Sequence, residues 1–313
     1  MRALTGLLLA ALAGLAHAYT DPTLLAGLQA LKPRLLSLGP HWSGALESWT
    51  CPTPPANSSA GEPCDPCGNE QWWGNWEHMA CRSINTSYRF DQLANDGLLT
   101  HFHFSLTGVE GPAQTLHDLL CPLSAHLKEW DMKVDGLSGP LPAGTPACMP
   151  KLEEYDLSRN HMTGTIPAEL GSMPVMNQFK VQGNKLVGTL PPELGQLKLL
   201  EWLRVFDNQL TGSIPDSYSA LSGPLTQASL GGRRLPSSQH PISIGGNLFT
   251  GNLYPFAEAL PQNTNVTLLP HMCGMIPSGI LFAAGYDAYG SPGLGLPCPD
   301  EVAGGWPDVP DGF

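Results

Sequence analysis

Few side chains in this 313-residue chain stand at spacings that could do chemistry. His101 and His103, in "THFHFSL", lie two apart. On a strand that puts both imidazoles on one face, where they could hold a metal ion. Spacing fixes no third ligand, so the pair is expected to belong to an ordinary exposed strand face. Glu153, Glu154 and Asp156 gather carboxylates of the kind a glycosidase uses as acid and base. They flank apolar positions and are expected to be solvated instead. Cys64-x-x-Cys67 has zinc or redox spacing, but Cys51 and Cys81 flank it at far longer and unequal distances. That is not the doubled C-x-x-C of a zinc site. The chain contains no G-x-S-x-G, no phosphate loop and no H-E-x-x-H. No catalytic, metal or cofactor centre is assigned, and the chain is expected not to be an enzyme.

The first eighteen residues have the form of a secretory signal: Arg2, an apolar run from Leu7 to Leu15, and Ala16-His17-Ala18 for cleavage. No later stretch has the roughly eighteen continuous apolar residues of a membrane-spanning helix. The last residues, "GGWPDVPDGF", lack the hydrophobic tail of a lipid-anchor signal. A secreted, soluble mature chain is expected. Eight cysteines and N-x-[ST] sequons at Asn57, Asn85 and Asn265 suit that compartment. The formal charge is -12, and loss of Arg2 with the signal makes it more negative by one. Nucleic acid and anionic membranes need a cationic surface, so neither is expected as partner. With 35 Gly and 31 Pro, the composition suits many tight corners.

Those corners recur. Asn160, Asn184 and Asn208 are equally spaced, and Gly164, Gly188 and Gly212 keep the same interval, as do Pro167, Pro191 and Pro215. Ahead of each Asn runs an L-x-x-L-x-L frame, for example Leu152, Tyr155 and Leu157 before Asn160. Looser copies start at Leu99 and Leu127, then at Ile242 before Asn247 and at Val266 before His271. About seven coils are counted in all. Apolar residues two apart line one face of a short strand. An inward Asn can bond the backbone of its own and the next coil. Gly takes the positive φ of a corner, and Pro fixes φ where no ladder N–H is needed. The interval from Asn208 to Asn247 is longer than the others, so one coil carries an insertion, at about 217–240. It is rich in Gly, Ser and Pro, includes Arg233 and Arg234, and is expected to be an exposed loop.

"LEEYDLSRNHMTGTIPAELG" resembles the plant-type extracellular leucine-rich repeat, whose frame continues L-x-G-x-[IL]-P after the Asn. The resemblance covers about residues 23–277 and is most specific over 127–215. It implies an α/β repeat solenoid, a right-handed leucine-rich-repeat horseshoe with disulfide-bonded caps. Leu24, Leu25 and Leu28, Trp49 before Cys51, and Trp76 before Cys81 resemble the N-terminal cap of that family. The domains expected are a signal at 1–18, an N-terminal cap at 19–92 and repeats at 93–270. A last degenerate coil, C-terminal cap and tail follow at 271–313. Disulfides are expected among Cys51, Cys64, Cys67 and Cys81; of three pairings, Cys51–Cys64 with Cys67–Cys81 is favoured. Cys121 and Cys148 fall at one phase of successive coils, within reach of a staple. Cys273 and Cys298 would tie down the tail.

Function should lie in residues that do not repeat. The column between the last two frame positions reads His103, Asp131, Asp156, Lys180, Arg204 and Ser243. Its neighbours add Trp202 on one side and Phe206 on the other. The face runs from acidic to basic and aromatic. Asp131, Asp156, Lys180, Trp202, Arg204 and Phe206 are therefore the expected binding surface. The resemblance, which extends to receptor-like protein ectodomains and polygalacturonase-inhibiting proteins, implies recognition of a protein, peptide or glycan. A membrane receptor chain would complete a receptor role. The alternatives are a structural glycoprotein of a wall or matrix and an inhibitor of a wall-degrading enzyme.

Overall fold

The computed structural model describes residues 22–49, 79–80, 98–221, 242–243, 247–251 and 271–273. The expected signal, Cys51, Cys64, Cys67, Cys81, Cys298, the three sequons, most of the insertion and the tail lie outside them. So does the frame at 266–268, so the count of seven coils is not settled by the described strands.

Each frame folds as a short strand flanked by corners. β2 (His101–His103), β4 (Glu129–Asp131), β6 (Glu154–Asp156), β8 (Gln178–Lys180), β10 (Trp202–Arg204) and β12 (Ile242–Ser243) stack in parallel as one sheet. β1 (Met79–Ala80) closes its edge antiparallel to β2. Side chains alternate, so the middle residue of each strand faces the core. Phe102, Trp130, Tyr155, Phe179 and Leu203 stand there in register, all fully buried. Trp130 meets Tyr155 edge-on at 5.5 Å, and Tyr155 stacks on Phe179 at 5.6 Å. Such contacts add to the burial of large apolar surface.

A second row of strands follows the corner of each coil. β3 (Glu110–Pro112), β5 (Gly136–Pro140) and β7 (His161–Thr163) pair in parallel. β9 (Val187–Thr189), β11 (Gln209–Gly212), β13 (Leu248–Gly251) and β14 (His271–Met272) form a further parallel set. The repeated glycines sit at positive φ, +75° at Gly164, +82° at Gly188 and +77° at Gly212, as a corner of this hand requires. Return segments are short 3-10 turns at Ala168–Ser172, Pro192–Gln196 and Asp216–Leu221. They stack closely: a Cβ at Gly195 would stand 2.5 Å from the Ser217 carbonyl oxygen.

The ladder asparagines are buried and fully bonded. Asn184 Oδ1 accepts from Met162 N at 2.9 Å, while its Nδ2 donates to Leu157 O at 3.0 Å and Val181 O at 2.9 Å. Asn160, Asn208 and Asn247 repeat the pattern toward Leu137, Leu186 and Leu210. Bonds within the Asn's own coil are as the pattern predicts, but those expected to reach the next coil run to the preceding one. The amide leans back because the corner that follows it packs beside the strand end already laid down.

At the N-terminal end, α1 (Pro22–Leu36) buries Leu24, Leu28, Leu31 and Leu35, spaced three and four apart along one face. The one-turn α2 (Trp42–Ala45) brings Trp42 to 5.3 Å from Phe104, with its Nε1 donating to Glu110 O at 2.8 Å. Trp49 packs edge-on against Phe104 at 5.8 Å. The first coil is thereby covered, as an open-ended repeat array requires. On the return side, α3 (Ala113–Leu120) and the short α4 (Thr145–Cys148) lie over successive coils. Cys121 and Cys148 form a disulfide with Cα atoms 4.9 Å apart. Cys273 is also disulfide-bonded, to a partner outside the described residues.

Candidate ligand-binding face

The outward residues of the long sheet form two columns in register. One runs His101, Glu129, Glu154, Gln178, Trp202; the other His103, Asp131, Asp156, Lys180, Arg204. Five of the six residues expected to bind ligand therefore share one surface. Phe206 lies two residues beyond β10, half-buried, where its carbonyl accepts from Gly183 N at 3.0 Å.

The first half of this face is a chain of polar pairs, some within a coil and some between neighbouring coils. His101 Nε2 lies 3.2 Å from Glu129 Oε1, and His103 Nε2 lies 2.8 Å from Glu129 Oε2. Asp131 accepts from Ser105 Oγ, from Lys133 Nζ at 2.7 Å and from Lys133 N at 3.2 Å. Asp156 accepts from Ser158 Oγ at 2.6 Å and Ser158 N at 3.0 Å. Lys180 Nζ reaches Glu154 Oε1 at 2.7 Å. Oxygens of Asp131, Glu154 and Asp156 lie within 4.8 Å of one another, with the ammonium groups of Lys133 and Lys180 already among them.

Two expectations need correction here. His101 is 5% exposed rather than part of an open strand face, because Glu129 and Thr100 close over it. Asp156, expected to be solvated, is only 3% exposed, and the Glu154 side chain 15%. Parallel neighbours stand one strand spacing away on each side, roughly 5 Å, so short acidic side chains are walled in.

Burial opposes ionisation of Glu129, yet hydrogen bonds and charge from His101 and His103 hold its carboxyl well below the ordinary range. Burial likewise opposes ionisation of Asp131, but Lys133 and Ser105 bring it down. Asp156 is raised, first by burial and then by the charge of Asp131, with Lys180 and Ser158 only partly offsetting them. Glu154 is raised by burial, against the pull of Lys180.

Further along, the face changes character. The Arg204 guanidinium lies 4.3 Å from the centre of the Trp202 ring, and Lys180 Nζ lies 5.6 Å from it. Trp202, Arg204 and Phe206 are all half-buried, so each still presents surface. At that distance the guanidinium and the indole attract through a cation–π interaction. The result is a cationic and aromatic shelf beside the acidic rows. Glu129, Lys133 and Ser105 fall in the columns that the repeat spacing places on this face, but they were not among the residues expected to bind, and their pairing is seen only here. Coil-to-coil alignment, across the unequal sequence steps from β2 to β4 and from β4 to β6, puts His101 opposite Glu129 and His103 opposite Asp131, but does not say which side chains bond.

The stacked parallel strands, repeated corners and asparagine ladder define the leucine-rich-repeat fold. No protein-family model and no curated protein sequence matches the chain. Among solved structures it is similar to the PEPR1–AtPEP1 complex, at 23% identity and a TM-score of 0.54, over 81% of this chain and 29% of that one. It is also similar to the receptor kinase HAESA leucine-rich-repeat ectodomain from Arabidopsis, solved with an N-terminally extended IDA peptide hormone. That likeness is 19% identity at a TM-score of 0.54, over 85% of this chain and 40% of the other. The BIR2 ectodomain from Arabidopsis thaliana aligns at 24% identity and a TM-score of 0.49, over 74% of this chain and 94% of that one. The chain spans less than half the length of the first two. At such identity the likeness speaks for the fold.

Proposed function

We propose that this chain is a secreted, non-enzymatic recognition protein that captures a protein or peptide ligand on its concave sheet. The observation that carries the reading is the Trp202–Arg204 stack, half-buried, with Phe206 half-buried beside it, at the end of the sheet's outward face. Tryptophan and arginine are the residue types that most often anchor interfaces, and a stacked pair loses little further freedom on binding. An ectodomain of this fold was solved with a peptide hormone ligand, which favours a peptide or protein over other partners. A signal at 1–18, caps at 19–92 and 271–313, and disulfides at both ends belong to the same reading. A membrane receptor chain is the partner through which such a protein would signal.

The test is affinity capture from the secreted and wall fractions, followed by titration of the captured partner. The Trp202→Ala/Arg204→Ala/Phe206→Ala variant should bind at least about 30-fold more weakly, as loss of anchors worth roughly 2 kcal/mol or more requires. Its unfolding midpoint should stay close to that of the parent. Undiminished binding would move the site off this shelf. Enrichment in the wall fraction with no discrete partner would instead favour a structural glycoprotein.

A further inference from the structure

Where the second row of strands gives way to the return turns, three successive coils line an open groove of about 740 Å³. That volume is in the range of ligand pockets. Pro140, at the end of β5, comes from the first coil, Thr165 and Glu169 from the next, Thr189 and Glu193 from the third. We propose that this groove binds an extended basic segment of a partner polypeptide, with one lysine or arginine side chain to each of Glu169 and Glu193.

The lining sets the chemistry. Leu141, Ile166 and Pro191 are buried at its base, an apolar floor for the aliphatic stems of basic side chains. Pro140, Pro167 and Pro191 have no N–H to give, and carboxylates only accept. The groove therefore asks its occupant for donors and positive charge. No Lys or Arg stands among the described residues that line it.

Charge complementarity points the same way. Lysine ion pairs among the described residues go to Glu153, Asp131 and Glu154, and neither Glu169 nor Glu193 takes part in one. Glu169 is exposed and Glu193 half-buried, so a cation can reach both. The turns that carry them, Ala168–Ser172 and Pro192–Gln196, hold them at equivalent places on adjacent coils. Those turns leave no room for a Cβ at Gly171, which would run into the Glu193 carbonyl oxygen. Thr165 and Thr189 are exposed on the same groove, and their hydroxyls can donate to or accept from the segment's backbone. Coils roughly 5 Å apart give a run of about 10 Å over three, the length of three extended residues. Basic side chains two apart on one face of such a segment lie about 7 Å from each other, and their long stems reach both carboxylates. The groove belongs to the second row of strands rather than the long sheet, and stands independently of the function proposed for the Trp202 shelf.

The probe is a fluorescently labelled Gly-Arg-Ser-Arg-Gly peptide, blocked at both ends and titrated into the full chain. It should bind at low salt with a Kd below about 1 mM, and weaker binding overturns the proposal. Raising salt from about 50 to about 300 mM should weaken binding at least about 3-fold. Glutamine in place of both arginines of the peptide, or Glu169→Gln/Glu193→Gln in the protein, should each weaken it at least about 5-fold. The unfolding midpoint of that variant should match the parent's. Ala168→Trp, at the exposed edge, should block the groove and abolish binding. Affinity indifferent to the two glutamates, or equal for the glutamine peptide, overturns the proposal. So does loss of binding in the Trp202→Ala/Arg204→Ala/Phe206→Ala variant, which would place the peptide on the concave face. Affinity raised by Arg233→Ala/Arg234→Ala would make the chain's own insertion the occupant, and would overturn an outside partner.

Discussion

At the ladder position of the second coil stands an aspartate. Asp135 Oδ1 accepts from Gly108 N at 2.8 Å and Thr107 N at 3.0 Å of the preceding coil, where each later asparagine accepts from one N–H two residues past the preceding ladder position. A carboxylate has no N–H to offer in return, and Asp135 Oδ2 is buried without a partner. Burial pushes the carboxyl up to about 6, against the N–H groups of Gly108 and Thr107 and with help from the charge of Asp131. Protonation therefore favours the folded state. Stability from this group is fully present below about pH 4 and is lost as pH rises through about 6. Asp135→Asn should remove that slope and raise stability at pH 7 by about 1 kcal/mol, the worth of a buried acceptor's missing counterpart. Urea unfolding at pH 4 and pH 7 measures both effects. Where the asparagine is native, loss should be severe. Asn184→Ala strands Met162 N–H and the carbonyls of Leu157 and Val181, and should cost about 3 kcal/mol. Val134 is a different case, β-branched at φ +61° and 37% exposed. Val134→Gly should gain about 1 kcal/mol by relieving left-handed backbone strain.

Among elements, the disulfide between α3 and α4 ties one coil to the next across a sequence separation of 27. Replacing Cys121 and Cys148 by Ala should cost roughly 3–4 kcal/mol, read as a lowered thermal midpoint. Strands and corners were legible in the sequence because their requirements repeat. Leu157, Val181 and Val205 each need one inward site, and Gly164, Gly188 and Gly212 each need positive φ. The phase shared by Cys121 and Cys148 was readable for the same reason. The depth of the polar rows was not. Whether Asp156 meets water depends on Asp131 and Lys180 on the adjacent strands, each a full coil away along the chain. Nor does spacing say which way an inward amide leans. His101 and His103 were visible as a pair, but Glu129 pairs with both only once β2 and β4 lie side by side.

For the molecule as a whole, stability is close to a sum over coils and the interfaces between them. Damage should accordingly spread unevenly. The first coil is covered by α1, α2, Trp42 and Trp49, so its core is shielded where the array would otherwise be open. The Trp49→Ala change should open that end first. Hydrogen exchange should then rise over β2 and β3 well before β8 and β9.

The backward lean of the ladder amides has a consequence for how many coils the chain can hold. Each asparagine completes the coil before it and asks nothing of the one after. The first described coil carries Thr107 at this place, whose hydroxyl donates to its own Phe104 O, so no amide is needed there to complete a coil among the described residues. Copy number is thus an adjustable quantity. Excising one whole period, from His161 through Asn184, joins Asn160 directly to Lys185 and restores "NKLVG". The shortened chain should fold cooperatively with one coil fewer and carry the Trp202 shelf one step nearer the N-terminal cap.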